Sequence, residues 1–293
     1  LDLRQLTYFV TVVEQMSFSK AAQKLHISQP SLSNAIKNLE EEVGFRILER
    51  STRNLDLTES GKILYKRALR ILLEMKIVEK EMQEVRLTGN GELRIGMIES
   101  VKHWIPKVIR QYENEFPGMQ LLLKEELSGE DVKRSLRQYE THAVITNQLI
   151  DEPDILTYPL YKEALVLVLH ETHPLASKKS IRLQDLQQEP FIITSEGFQT
   201  RKDVLAAFAS ENLDVHIKYE VERFETALSL IHENLGVSII PENYLADRDG
   251  THLLHQVISS PPLSRPVYLT YMKNRYMAPA IRSFLDKIIR FFE

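Results

Sequence analysis

Residues 17–42, SFSKAAQKLHISQPSLSNAIKNLEEE, constrain what this chain can fold into more than any other stretch. Phe18, Ala21, Ala22 and Leu25 recur at helical spacing. After a break at residues 26–28, Leu32, Ile36, Leu39 and Val43 do so again. Two short helices sharing one small core are expected. Ser17 and Ser28 each stand just ahead of such a face, where a hydroxyl accepts from the free N–H groups of a first turn. Pro30 falls where that turn needs no donor. The break is therefore a turn between two helices, not a kink in one. Ala21 and Ala22 are small where the second helix must cross the first closely, which suits a helix-turn-helix whose second helix lies in a DNA major groove. The polar face of that helix carries Gln29, Ser31, Ser33, Asn34 and Lys37, groups able to bond base edges and phosphates. On this stretch alone, an ordinary helical hairpin with a solvated face fits equally well.

The flanking residues favour the first reading. Leu3, Leu6, Phe9, Val10 and Val13 predict a helix that closes the same core. Gly44 ends the third helix, and residues 45–49 and 55–58 read as two short strands around a polar loop containing Arg50, Arg53 and Asn54. This is a candidate wing. An arginine at its tip suits the negative potential of a narrow minor groove, the alternative being a solvated hairpin tip.

LRQLTYFV, SFSKAAQKLHISQPSLSNAIKNLEEEVGFRILER and LTESGKILY, in that order and nearly unbroken spacing, resemble the winged helix-turn-helix of the LysR-type transcriptional regulators. Later segments resemble the same family more weakly, so the resemblance covers the whole chain. By position it implies that Gln29, Pro30, Ser31, Ser33 and Lys37 face an operator and that Arg53 is the minor-groove residue. Asn34 departs from the arginine common at its position and suits adenine better than guanine.

From residue 59 to residue 88 the pattern is one long helix. Leu64, Ala68, Ile71, Met75, Val78, Met82 and Val85 alternate by four and three, a heptad seam. Burial against its own domain is the alternative to a partner helix. The resemblance implies a dimerisation linker here, and tetramers of the full chain through effector-domain contacts. Thr88-Gly89-Asn90-Gly91 then reads as a hinge into a second domain.

Beyond the hinge, strands and helices alternate, which implies an α/β unit with a largely parallel sheet covered by helices. The pattern restarts after Tyr158-Pro159. Two similar lobes would frame a cleft for a small ligand. The expected organisation is a winged helix-turn-helix at 1–58, a linker helix at 59–88 and a two-lobed effector domain at 89–293. Lobe I comprises 91–161 and 267–293, and lobe II 162–266. The resemblance implies the same periplasmic-binding-protein-like lobes. Ser100, after the first strand and ahead of a helix, is expected to face the cleft as part of an anion site or to act as a cap. Ser128 pairs with Asp131 in a capping pattern, with Leu127 placed to staple onto Val132. Phe198, Gln199 and Thr200 turn a strand into a helix, with Arg201 following. Two such helix N-termini favour a carboxylate-bearing ligand. The resemblance places an effector against positions matching Ser100, Ser128 and the turn at Phe198, Gln199 and Thr200. His142 and His170 read as surface or strand-end residues.

Composition narrows the remaining classes. Zero cysteines exclude thiol catalysis and thiolate-bound zinc, and the histidines show no ligand spacing, so neither metal nor cofactor is expected. A formal charge of −4 requires that any DNA contact come from a local patch. No apolar run reaches membrane-spanning length, and LDLRQL does not read as a signal peptide, so a cytoplasmic protein is expected. No serine lies in a G-x-S-x-G setting and no phosphate-binding glycine loop occurs. Glu40, Glu41 and Glu42 read as a solvated helix end. The chain therefore reads as a non-enzymatic, ligand-responsive DNA-binding regulator. A solute-binding protein with an appended helical region and an enzyme on the same lobes are its rivals.

Overall fold

The computed structural model describes residues 1–50, 55–85, 90–245, 252–260 and 263–293, and the chain separates into two compact units, Leu1–Gln83 and Glu84–Glu293. In the first unit, α1 (Leu3–Gln15), α2 (Phe18–Lys24) and α3 (Gln29–Val43) precede β1 (Leu48–Arg50), β2 (Leu55–Leu57) and α4 (Glu59–Val85). Each helix starts where the sequence supplies an acceptor. Asp2 and Gln5 form a reciprocal capping box, Ser17 accepts from Lys20 N–H, and Ser28 accepts from Ser31 N–H. Gly44, at φ +77°, ends α3 in the left-handed region that a side chain resists. Phe9, Ala21, Ala22, Leu32, Ile36 and Leu39 close one core with Ile47 and Leu48.

The wing strands are shorter than expected, because residues 45 and 46 serve the helix junction instead of the ladder. Thr58 Oγ1 donates to the Arg46 carbonyl at 2.8 Å and accepts from Gly61 N–H at 2.9 Å. Gly61 is required there, since a Cβ would lie 2.0 Å from the Ile47 carbonyl oxygen. Glu40 is not a solvated end: its carboxylate accepts from Ile47 N–H at 2.9 Å and Leu48 N–H at 3.3 Å, tying α3 to β1. Early α4 packs Ala68, Leu64, Tyr65 and Leu72 on Leu6 and Val10 of α1. Farther along, Ile71, Met75, Val78, Met82 and Val85 of the heptad seam are 42–54% exposed in the single chain.

The second unit runs β3 (Asn90–Met97), a 3-10 turn (Glu99–His103), α5 (Ile105–Glu113), β4 (Gly118–Glu125), α6 (Gly129–Arg137), β5 (Ala143–Thr146) and β6 (Ile155–His170). It continues through β7 (Ile181–Arg182), β8 (Phe191–Thr194), α7 (Gln199–Ser210), β9 (Ile217–Val221), α8 (Phe224–His232), β10 (Ser238–Pro241), β11 (Leu253–Ser260), β12 (Ser264–Met272) and α9 (Pro279–Arg290). Residues 88 and 89 of the expected hinge lie outside the described residues.

The sheet corrects the largely parallel expectation. β3 pairs β4 and β5 in parallel, but β12 is antiparallel to both β5 and β6, and β10 and β11 are antiparallel to β6. The restart expected after Pro159 does not break the chain either. β6 runs 16 residues, pairing β12 over its first part and β10 and β11 over its second. Pro159 is tolerated because the register shifts between Val267 and Tyr268, a bulge beside a residue with no N–H to give. This one strand joins two packing centres. Leu93, Ile95, Val108, Tyr112, Leu269 and Phe284 belong to one, and Leu167, Phe191, Val204, Phe208 and Ile239 to the other.

Candidate functional site

In the first unit, α3 starts at Gln29 and presents Gln29, Pro30, Ser31, Asn34 and Lys37 to solvent, with Ser33 half-buried. The face stays polar because Leu32, Ile36 and Leu39 take the opposite side into the core. Gln29 is held at the helix start, where its Oε1 accepts from Ser19 Oγ of α2 at 3.1 Å. Ser31 exchanges a 2.7 Å hydrogen bond with Ser28 Oγ, and Lys37 pairs with Glu41 at 3.4 Å. Pro30, Ser33, Asn34 and Lys37 line one groove together with Phe45, Arg46 and Leu48. Phe45, 64% exposed, and Arg46 were not anticipated as part of this surface, since the alternation at 45–49 had assigned them to a strand. Arg53 lies outside the described residues.

In the second unit, a small cleft is lined by Ile98, Glu99, Ser100, Leu127, Asn147, Phe198, Gln199, Thr200, Phe224 and Arg265. Four of the six expected effector residues therefore come together. Ser100 is not a cap: it lies inside the 3-10 turn, because helical geometry begins only at Ile105, ahead of Pro106. Ser100 is 1% exposed, and its hydroxyl has no hydrogen-bond partner among the described residues, an orphaned polar group at the cleft wall. Ser128 is occupied, accepting from Asp131 N–H at 3.1 Å and donating to the Asp131 carboxylate at 2.6 Å. Gln199 Nε2 donates to Asp203 at 2.7 Å. Phe198 precedes α7 without a side-chain cap, which leaves first-turn N–H groups without a side-chain acceptor. Arg201 does not line the cleft. Its guanidinium donates to the Thr194 carbonyl and to Glu220, each at 2.9 Å.

The residue that sequence reasoning missed is Arg265. It lies on β12 opposite Glu163 of β6, both almost wholly buried, and its Nε and Nη2 reach Glu163 Oε2 at 2.9 and 2.8 Å. Nη1 donates to Thr200 Oγ1 at 2.7 Å and approaches Asp203 at 3.3 Å. With its amide oxygen facing the guanidinium, Asn147 accepts from it at 3.2 Å. One cation thus joins the end of β5, the start of α7 and the central strand. Only its pairing register with Glu163, 102 residues away, could have marked it, and register is not readable from either stretch alone.

An ionic cluster adjoins Glu99 and Phe224 of the cleft wall. Glu125 pairs with Arg223, Lys102 lies 3.4 Å from Glu225, and the Lys102 ammonium stands 3.6 Å above the Tyr244 ring. Tyr244 OH donates to Glu99 at 3.3 Å. Burial, reinforced by a hydrogen bond and repulsion from Glu225, pushes the Glu99 carboxyl up to about 7. The more exposed Glu225 keeps its charge beside Lys102. The cleft wall therefore carries a carboxyl group that gains or loses its proton near neutrality.

The family described as LysR substrate binding domain matches residues 88–293, and that described as bacterial regulatory helix-turn-helix protein, lysR family, matches residues 3–62. Among curated relatives, the HTH-type transcriptional regulator CfxR of Cupriavidus necator is 30% identical over 97% of this chain and 89% of its own length. The DNA-binding transcriptional dual regulator OxyR of Escherichia coli is 27% identical over 98% and 96%. Among solved structures, full-length BenM is 29% identical, covers 100% of this chain and 97% of its own, and superimposes with a TM-score of 0.62. A full-length OxyR variant from Pseudomonas aeruginosa gives the same TM-score at 27% identity, covering 98% of this chain and 99% of its own.

Proposed function

The chain belongs to the LysR family of bacterial transcriptional regulators, and from that membership we propose how its own residues divide the work of reading DNA and sensing a ligand. It is a DNA-binding regulator that responds to a small molecule, and it is not an enzyme. No helix among the described residues is long and apolar enough to cross a membrane. The winged helix-turn-helix spans 1–58, the dimerising helix 59–88 and the effector domain 89–293, with lobe I at 91–161 and 267–293 and lobe II at 162–266. Gln29, Pro30, Ser31, Ser33, Asn34 and Lys37 face double-stranded promoter DNA, and Arg53 enters the adjacent minor groove. α4 forms a homodimer that sets two copies of α3 on a roughly palindromic site, half-sites near one helical turn apart. Dimers pair again into tetramers through their effector domains.

Support for the DNA surface comes from the exposed polar face of α3 beside the groove that reaches Arg46. Gln29→Ala is expected to cost about 1–3 kcal/mol on the specific site and little on random DNA. Salt-controlled gel shifts on both fragments read this, and equal weakening on both would remove Gln29 from base readout.

The effector is a small carboxylate held in the cleft of the second unit. The observation that carries this reading is the buried, unpartnered Ser100 hydroxyl beside a helix start, α7, whose first turn lacks a side-chain cap. Arg265 is already balanced by Glu163 and Asp203, so the ligand's charge is met by N–H groups and by Ser100. Ser128, Phe198, Gln199 and Thr200 complete the wall, and Arg201 acts by holding the start of α7. Glu99 sets the pH dependence. Ionised, it repels a carboxylate; protonated, with its proton shared with Glu225, it does not. A carboxylate is therefore expected to bind more tightly at pH 6 than at pH 8, by up to about 10-fold for each pH unit above the Glu99 pKa. Glu99→Gln flattens this profile, and Ser100→Ala weakens binding at either pH. Thermal-shift screening of a carboxylate, neutral and cationic panel on the three proteins tests it. Stabilisation only by neutral or cationic compounds, or by carboxylates equally in wild type and Ser100→Ala, would refute the anion site.

A further inference from the structure

Polar contacts cross from one half of the second unit to the other beside the effector cleft. The half that packs on Ile98 and Val101 contributes Glu99 and Lys102 from the 3-10 turn and Glu125 from the end of β4. The half that packs on Val166 and Ile240 contributes Arg223 and Glu225 at the start of α8 and Tyr244 after β10. β6 and β12 run from one half to the other. Glu125 pairs with Arg223, and Lys102 lies 3.4 Å from Glu225. All four of these side chains are more than a third exposed, so solvent screens both pairs and neither holds the halves together by itself.

Glu99 and Glu225 make a contact of a different kind. Two carboxyl groups from opposite halves share a hydrogen bond, and the Tyr244 hydroxyl reaches both. Such a bond exists only while one of the pair carries a proton, because two carboxylates offer acceptors and no donor. Glu99, half-buried where Glu225 is exposed, is the one that keeps it.

We propose that Glu99 and Glu225 form a proton-operated latch on the effector cleft: one proton between them holds the halves closed, and its loss sets like charges against each other and favours opening without any ligand. The latch rests on the two-lobed division proposed above and not on the identity of the effector. Its surroundings are mixed in charge. Glu125 of β4 adds to the repulsion at Glu99, whereas Lys102 on the same turn and Arg223 ahead of α8 oppose it. Arg265 of β12 lines the same cleft but is balanced by Glu163 and Asp203. Histidines in general change charge near neutrality, so His103, whose ring stands 6.2 Å from that of Tyr244, is the rival proton site. Opening returns Glu99 to water and to its ordinary value of 4.5, while the closed cleft holds it up to about 7. Closing therefore takes up a proton. The closed-to-open ratio falls about 10-fold per pH unit between those two values and levels off above the second.

The chain has no cysteine, so a pair of spin labels can be attached without competing thiols. Lys107→Cys on α5 and Lys202→Cys on α7, both at exposed positions, put one label on each half. Pulsed dipolar spin resonance on the ligand-free full chain should show the ratio of shorter to longer distances at least about 10-fold greater at pH 5.5 than at pH 8. Glu99→Gln and Glu225→Gln each supply a permanent N–H donor, so both should stay closed and give one distribution at the two pH values. His103→Gln should keep the wild-type response. Melting curves at both pH values confirm that each variant folds. An identical wild-type distribution at the two pH values, a response that survives in either glutamine variant of the pair, or one that His103→Gln abolishes would overturn the latch. No ligand is present, so none of these results bears on the anion site, which the carboxylate screen tests.

Discussion

Arg265→Ala is expected to destabilise the effector unit by about 3–5 kcal/mol, the usual cost of removing one partner of a buried ion pair. Glu163, 1% exposed, would be left buried with neither carboxylate oxygen partnered among the described residues, since Oε1 already lacks a partner there and Oε2 takes both Arg265 bonds. Thr200 and Asp203 would lose a donor in the same step, so the start of α7 loosens with the sheet. Urea unfolding followed by fluorescence of the single tryptophan, Trp104, measures this, because Trp104 packs in the same unit against Tyr161, Phe291 and Phe292. The double replacement Arg265→Met with Glu163→Leu should recover most of the loss, since apolar groups need no counter-charge. An Arg265→Ala protein within about 0.5 kcal/mol of wild type would mean that water replaces the guanidinium and that the pair does not anchor the cleft.

Replacing Ile71 and Val78 together with aspartate is expected to make the 1–87 fragment monomeric. In the single chain these side chains are 43% and 48% exposed, on a seam continued by Met75, Met82 and Val85. Such a contiguous apolar row on a helix of 27 residues marks an association surface. A charge at each position must be desolvated for the helices to pair. Sedimentation should report the monomer, and operator binding should fall by about 10²–10⁴-fold, because the two recognition helices lose the effective concentration that linkage provides. Folding of the three-helix core should survive, since its contacts with α4 involve Leu64, Tyr65, Ala68 and Leu72 instead. An unchanged dimer would refute the seam.

Much of the first unit is legible without coordinates, because its signals are local. Ser17 and Ser28 announce helix starts, Gly44 a helix end, and apolar spacing the buried faces, each acting over one or two turns of chain. The exposed polar residues of α3 follow directly, since the spacing that buries Leu32, Ile36 and Leu39 leaves Gln29, Asn34 and Lys37 outside. The cleft residues Ser100 and Thr200 were placed by the same strand-to-helix logic, although Ser100 sits within a turn and does not cap it. Tertiary structure alone decided the rest. Pro159 reads as a break, yet β6 continues through it because a register shift against β12 removes the need for its missing N–H. Glu40 reads as solvated, yet it holds the wing through two backbone N–H groups seven and eight residues on. Arg201 follows the cleft turn in sequence, but Glu220 and the Thr194 carbonyl draw its guanidinium elsewhere. Arg265 gives no local sign of function, because its partners Glu163, Thr200 and Asp203 lie 62 to 102 residues away and meet it only when antiparallel strands close. Helical periodicity and caps are written within a few residues of where they act. The pairing of buried charges depends on which strands become neighbours and in what register, and those belong to the folded sheet as a whole.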